Sequence, residues 1–336
     1  MAAPDYEDRA RELLSGEVYD YYAGGSGTEV TLRDNPTAWS KVRLRPRALR
    51  DVSWVDTATT VLGTSVAAPL VVAPMAFQGL VHPEAERATA EGCRRAGVLM
   101  TVSTRSSLPV EDVGADPWWF QVYVLRDRDL TLRLAQRAAA AGARALVLTA
   151  DTPVVARKHR TARAGAVSQE HFLRALGPGV DPVSAEQAAD ITFQEVSRLR
   201  QEWGLPVVVK GVLRADDAEA AVAAGAAAVL VSNHGGRQLD GAVSTADCLR
   251  EVVDAVAGRA EVYVDGGVRS GLDVLRALAM GARAVLLGRP VLWGLAVHGA
   301  DGVHAVLDGV ADDLAHVMAL AGAPTVAEVT GDLLVP

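Results

Sequence analysis

The chain has 336 residues, with 33 Lys and Arg against 41 Asp and Glu, a net charge of −8 and half of its residues hydrophobic. That composition excludes intrinsic disorder, and an acidic balance without a basic run excludes nucleic acid as the main partner. Pro4–Tyr22 reads as one or two helices and Val52–Val66 as a hairpin. Short β-branched apolar runs then recur, at 70–73, 98–101, 119–123, 145–149, 207–210, 229–232, 262–265 and 284–288. Their continuous apolar character marks strands buried on both faces. Between them lie helices predicted over Pro83–Ala96, Leu130–Ala141, Ala215–Ala224, Ala246–Ala257 and Gly271–Met280. Gly97, Gly142, Gly225 and Gly281 follow helices where a left-handed cap favours glycine.

Eight such units predict a (β/α)8 TIM barrel, one domain over 1–336, with N-terminal helices and with the hairpin capping the barrel floor. A doubly wound sheet is the competitor, but no GxGxxG follows the first strand. One interval is long: 153–203 holds a single complete helix, and the rest reads as a short lid after the fourth barrel strand, containing His171 and Phe172. No apolar run reaches the roughly 18 residues of a spanning helix. Met1–Asp8 lacks a secretory pattern, and Cys93 and Cys248 stand alone. A cytoplasmic protein with no disulfide framework, no metal site and no membrane partner is therefore expected.

Ligands of such a barrel bind where its strands end. The residues standing there are Pro74, Met75 and Ala76, then Ser103, Gln121 with Tyr123, Thr149 with Asp151, Lys210, Ser232 with His234, Asp265, and Gly288 with Arg289. A lysine ending a Val-Val-Val run can reach for solvent, yet His234 and Asp265 end the next two strands and point to chemistry instead. The turns Asp265-Gly266-Gly267-Val268-Arg269 and Gly288-Arg289 fall after strands seven and eight, a frequent phosphate site where glycine admits backbone N–H groups. Arg269 and Arg289 add bidentate charge. In Ser232-Asn233-His234-Gly235-Gly236-Arg237-Gln238-Leu239-Asp240, a histidine base and an arginine clamp for a carboxylate share one glycine-flexed loop.

That stretch resembles the signature of the FMN-dependent 2-hydroxy acid oxidase and dehydrogenase family, which includes glycolate oxidase, lactate oxidase and mandelate dehydrogenase. The likeness runs from about Val18 to Ala321 through Tyr19–Gly25, Ala73–Ala76, His82–Glu84, Phe120–Tyr123, Asp151–Pro153, Val209–Val212, Asp265–Gly267 and Gly288–Pro290. Residues 23–29 and 240–242 look most like hydroxymandelate oxidases. The resemblance implies oxidation of an L-2-hydroxy acid, with larger or aryl acids favoured, to the 2-oxo acid on FMN. It implies a flavin site of Pro74, Met75, Ala76, Ser103, Gln121, Thr149, Lys210 and Ser232. The phosphate would lie on Asp265, Gly266, Gly267, Arg269, Gly288 and Arg289. Tyr21, Tyr123 and Arg237 would hold the acid, His234 would act as base, Asp151 would orient it, and Lys210 would stabilise reduced flavin. Oxygen or another acceptor would take the electrons. A homo-oligomer, commonly a tetramer in the family, is also implied.

Two positions depart from the family. Lys158 stands where a second carboxylate-binding arginine is expected, keeping the charge but losing the planar fork. Arg105 stands where many members carry an apolar or aromatic residue; it either faces solvent, compensates for Lys158 or meets a second anionic group on the substrate. The polar lid replaces the apolar insertion of the membrane-bound branch. Three rivals stay open: a non-redox FMN barrel such as the type 2 isopentenyl diphosphate isomerase, a member tailoring a larger or carrier-bound acid, and a flavin-binding relic.

Overall fold

Valine- and leucine-rich segments flanked by alanine-rich amphipathic helices bury most area when the strands form a closed inner wall and the helices an outer ring. The computed structural model describes residues 6–160, 173, 176 and 180–335. In it the hairpin strands are β1 (Thr59–Val61) and β2 (Thr64–Val66). The wall is built from β3 (Leu70–Val72), β4 (Leu99–Ser103), β5 (Trp118–Val122), β6 (Leu146–Thr149), β7 (Val207–Val212), β8 (Ala228–Val231), β9 (Glu261–Val264) and β10 (Ala284–Leu287). All pair in parallel, and β10 closes on β3, so the described residues form a barrel in sequence order. Helices Ala85–Ala96, Arg128–Ala140, Ala215–Ala223, Thr245–Val256 and Gly271–Ala279 follow the prediction within a residue or two, and Gln194–Trp203 falls in the 153–203 segment, where a complete helix is expected. Gly97, Gly142, Gly225 and Gly281 all adopt positive φ. Among the described residues no helix is long and apolar enough to cross a membrane.

Strand alternation fixes what the barrel contains. Val71, Leu99, Trp119, Val147, Val208, Leu230, Tyr263 and Leu286 fill its interior together with Val61 and Val66 of the hairpin. The hairpin plugs the N-terminal end, where the Leu62 N–H donates to Glu261 at 3.2 Å and Arg283 donates to the Thr60 carbonyl at 2.8 Å. Two residues further along six of the eight inward rows the apolar character stops. There stand Thr101, Gln121, Thr149, Lys210, Ser232 and Asp265, with the small residues Ala73 and Gly288 on the other two.

Pro4–Tyr22 resolves into two helices, Glu7–Leu13 and Gly16–Ala23, one of the two alternatives that the sequence allows. Two features depart from the sequence reading. An unforeseen helix spans Val30–Lys41, with Pro36 inside it, a residue that ordinarily argues against helix. The β4–β5 connection carries only a short 3-10 turn, Val110–Asp112, among the described residues. Most of the expected lid, His171 and Phe172 included, lies outside the described residues.

The segment Arg289–Ala321 breaks at His298 and Gly299, where φ reaches −140° and +56°. The break folds the chain back so that Gly294 and Gly302 touch; a Cβ on Gly302 would sit 1.9 Å from the Gly294 carbonyl oxygen. Gly302→Ala is therefore expected to destabilise the fold by about 3 kcal/mol, because backbone cannot yield as a side chain does. Chemical denaturation of the variant checks this, and an unchanged midpoint contradicts it.

Candidate active site

Lys210 and Asp265 of the inward polar layer, with Ser103, line a large cavity at the C-terminal end of the barrel, with about 1200 Å³ of empty space including its mouth; Gln121, Thr149 and Ser232 lie behind that lining. Ser103, Gln121 and Thr149 join the ends of β4, β5 and β6: Ser103 donates to Gln121 Oε1 at 3.0 Å, and Gln121 Nε2 donates to Thr149 at 2.9 Å. Beside this row stands Lys210, whose side chain is 4% exposed. Its Nζ donates to Ser232 Oγ at 2.9 Å and lies 3.8 Å from both Asp151 Oδ2 and Asp265 Oδ2. Burial alone would discharge the amine, but the two carboxylates outweigh it and hold the Lys210 pKa above its ordinary value. Asp265, which the resemblance places at the phosphate end of the flavin site, lines the cavity and turns its carboxylate to this lysine.

Asp151 links Lys210 to the histidine. His234 Nδ1 lies 2.9 Å from Asp151 Oδ1. Burial disfavours the free carboxylate, yet the charges of His234 and Lys210 prevail and keep its pKa well below the usual range. An ionised carboxylate only accepts, so Nδ1 carries the proton and Nε2 is left as the open acceptor. Burial outweighs Asp151 in lowering the His234 pKa, so the imidazole is neutral at neutral pH. Two backbone irregularities make the contact possible. Gly211, at φ +103° in the register shift between Lys210 and Val212, is needed because a Cβ there would lie 2.5 Å from Asp151 Cβ. His234 itself takes φ +58°, held by the donation of its N–H to Ser232 Oγ at 3.1 Å.

Pro74, Met75, Ala76 and Ser103 line one wall, and Gly266, Gly267, Arg269, Gly288 and Arg289 the other. Gly266 and Gly267 both adopt positive φ, +87° and +85°. Arg289 donates to the carbonyls of Tyr22 at 2.9 Å and Gly235 at 3.1 Å. Burial, with Arg237 and Arg269 as like charges, pulls its pKa down to about 9. Guanidinium groups crowded beside a glycine turn and the first residue of a helix fit a phosphate, which relieves their repulsion. These residues therefore suit the phosphate end of FMN.

Tyr21, Tyr123, Arg105, Lys158, His234 and Arg237 all line the same cavity. Arg237 sits 5.2 Å from the Tyr21 ring centre and donates to the carbonyls of Tyr21 at 2.6 Å and Gly24 at 2.8 Å. It thereby also caps the C-terminal end of helix Gly16–Ala23. Lys158 is placed by a bridge to Gly27, and burial together with Arg237 and Arg105 lowers its pKa to about 8.

Sequence reasoning missed several supports. The Asn35 and Asn233 amides exchange hydrogen bonds of 2.9 and 2.7 Å, and Trp39 donates to the Gly266 carbonyl at 2.8 Å. Asp240 accepts from the N–H groups of Thr28 at 2.7 Å and Thr31 at 3.2 Å. Gln238 donates to the Asp151 carbonyl at 2.9 Å. Gln187 also enters the cavity, from the far end of the long interval, where no local pattern announced it.

The model of the family described as FMN-dependent dehydrogenase matches residues 10–336. The chain is 46% identical to a 4-hydroxymandelate oxidase of Amycolatopsis orientalis, covering 97% of this chain and 96% of the relative. It is 45% identical to an L-lactate oxidase of a Nostoc species, over 95% of this chain and 93% of that one. Among solved structures it is similar to a mandelate oxidase variant with the C4a-OH-FMN adduct, at a TM-score of 0.88 and 45% identity, covering 98% of each chain. The chain belongs to the FMN-dependent dehydrogenase family: it is an oxidoreductase acting on a CH–OH group, with FMN as its cofactor.

Proposed function

We propose that the protein oxidises an L-2-hydroxy acid with a larger or aryl side chain to the 2-oxo acid. The observation that carries this is the 2.9 Å contact of His234 with Asp151 beside buried Lys210, in a cavity that also holds Arg237, Lys158 and Tyr123. Cations and a phenol suit a carboxylate and a hydroxyl; a neutral imidazole suits the proton that must leave. Names of relatives support the aryl preference, since several are mandelate or hydroxymandelate oxidases.

Arg237 and Lys158 hold the substrate carboxylate, and Tyr21 and Tyr123 fix the orientation of the acid. His234 Nε2 takes one proton as C2 and its oxygen become a carbonyl, a loss of two electrons and two hydrogens from the acid. Asp151 keeps the imidazole in the required tautomer and stabilises the charge it gains. Bound FMN would supply the acceptor for the two electrons and for the second hydrogen, and oxygen or another acceptor would then take the electrons. Lys210 presents a fixed positive charge for the negative charge that develops beside it, and its burial makes that charge effective. Ser103, Gln121 and Thr149 offer polar groups to the flavin ring.

The reading is tested by anaerobic mixing of the FMN-loaded protein with mandelate, lactate and glycolate, followed by air. Bleaching of the flavin, fastest with mandelate, is expected; no bleaching by any 2-hydroxy acid defeats the reading and favours a non-redox barrel. Loss of the base gives a second measure. His234→Gln is expected to slow flavin reduction about 1000-fold while FMN stays bound.

The lysine at position 158 gives the pH profile a sign. Its lowered pKa means that the charge is present below pH about 8 and is lost above it, while the substrate carboxylate stays ionised throughout. Consequently kcat/KM is expected to fall above pH about 8, mainly through KM. Lys158→Arg should move that fall to higher pH, and a profile identical in the two proteins contradicts a carboxylate contact. At the other wall, Arg289→Met is expected to weaken FMN binding about 100-fold, read as free flavin fluorescence on dilution.

A further inference from the structure

A lysine cannot orient itself on a carboxylate as a planar fork does; its compact charge ends a flexible stem, so the backbone that carries it must be held. The segment that carries Lys158 is fastened to residues 20–29 through both backbone and side chain. Gly27 donates its N–H to the Arg157 carbonyl at 3.1 Å and forms a parallel bridge with Lys158. Two residues on, the Arg160 guanidinium grips Glu29 with two nitrogens: Nε lies 3.0 Å from Oε1, and Nη2 donates to Oε2 at 3.1 Å. Its Nη1 reaches Asp20 Oδ1 at 3.5 Å. Asp20 precedes Tyr21 on helix Gly16–Ala23, so one guanidinium joins the carrier of Lys158 to the carrier of Tyr21.

Glu29 is itself held in place for this grip. It takes φ +64°, in the left-handed region, immediately before helix Val30–Lys41. Its N–H donates to the Ser26 carbonyl at 2.9 Å, and its Oε1 also accepts from the Gly25 N–H at 3.0 Å. A non-glycine residue kept in that region at a cost marks a position where the side chain is used. The Glu29 side chain is 16% exposed and that of Arg160 41%. An ion pair so open to water adds little to global stability, but two parallel contacts fix a geometry. The consequence is therefore local: it sets where Lys158 and Tyr21 stand relative to each other.

We propose that Arg160 and Glu29 are positioning residues for substrate binding: their two-pronged pair, extended to Asp20, holds Lys158 and Tyr21 at the spacing that one bound acid requires. This rests on the oxidase reading of the cavity, in which Lys158 meets the substrate carboxylate and Tyr21 orients the acid. Both Lys158 and Tyr21 line the cavity, whereas Arg160 and Glu29 do not, so the pair acts through those two side chains rather than by touching the substrate.

The test reads binding and turnover separately in the FMN-loaded protein. Arg160→Ala and Glu29→Gln are each expected to raise KM for mandelate about tenfold, with kcat changed by less than about twofold. Binding of the 2-oxo acid phenylglyoxylate, followed by the flavin absorbance change, should weaken by the same factor. Arg160→Lys, which keeps the charge and loses the fork, should recover only part of the loss. The double variant should lose no more than either single one, because each removes the same contact. In a Lys158→Met background Arg160→Ala should weaken binding by less than about threefold, since the lysine it positions is gone. An unchanged KM and affinity in Arg160→Ala overturns the proposal. So does a loss that persists in full without Lys158, or one in which kcat and FMN affinity fall in proportion, each the mark of a general structural defect. If no 2-hydroxy acid reduces the flavin, the oxidase reading fails by itself; phenylglyoxylate binding that depends on Arg160 only while Lys158 is present would still establish the clasp, and its absence would remove it.

Discussion

A lysine with 4% of its side chain exposed, set on the inward face of a barrel, is the constraint around which the site is organised. A buried ammonium is tolerated only if opposite charge and hydrogen bonds replace water, and here Asp151, Asp265 and Ser232 do so from three neighbouring strand ends. Each of these partners then acquires a second duty. Asp151 aligns the His234 ring, Ser232 holds the strained His234 backbone, and Asp265 opens the glycine turn that faces the guanidinium groups. The histidine is thus oriented as a consequence of neutralising the lysine. Gly211 belongs to the same logic, since the bulge after Lys210 clears the volume that the Asp151 side chain occupies.

The N-terminal segment completes what the strand ends begin. Helix Val30–Lys41 packs on the turns after β8 and β9 so tightly that a Cβ on Gly267 would lie 2.5 Å from the Asn35 backbone and one on Gly236 would lie 2.6 Å from Leu32. Ser26 and Gly236 are hydrogen bonded at 2.9 Å, and Thr28 and Thr31 fasten to Asp240. The 232–240 stretch therefore does two kinds of work: His234 and Arg237 face the cavity, whereas Asn233, Gly236 and Asp240 lock the loop to residues some two hundred positions away. Chemistry and docking are interleaved along one loop, and moving the dock would move the base.

Barrel strands, glycine caps and polar strand ends were legible because each is written locally: a β-branched run, a glycine after an alanine-rich helix, a charged residue ending a valine run. Tyr123, Asp151, Lys210 and His234 could be singled out for that reason. What was hidden depends on distance or on an exception. Pro36 spoke against a helix that tertiary contacts at Asn35 and Trp39 nonetheless hold in place. Gln187 and Gln238 are ordinary polar residues locally; only the folded chain brings them to Arg105 and Asp151. The dual use of Arg237 was also hidden, because carbonyls at the end of a helix carry no sequence mark.

The charge distribution has a consequence for folding as well as for chemistry. Arg237 and Arg289 cap the carbonyl end of helix Gly16–Ala23 from the cavity side, and with Arg269 they bring like charges together in a half-buried wall. Burial first, and then these like charges, lower the Arg289 pKa. Carbonyl dipoles offset only part of that repulsion, whereas a dianionic phosphate offsets the like charges directly. An anion that binds the folded arrangement and not the unfolded chain stabilises it in proportion to its concentration over Kd. Arg289, which suits that phosphate, also donates to the carbonyls of Tyr22 at 2.9 Å and Gly24 at 3.3 Å, so the phosphate end of the cavity abuts the end of helix Gly16–Ala23.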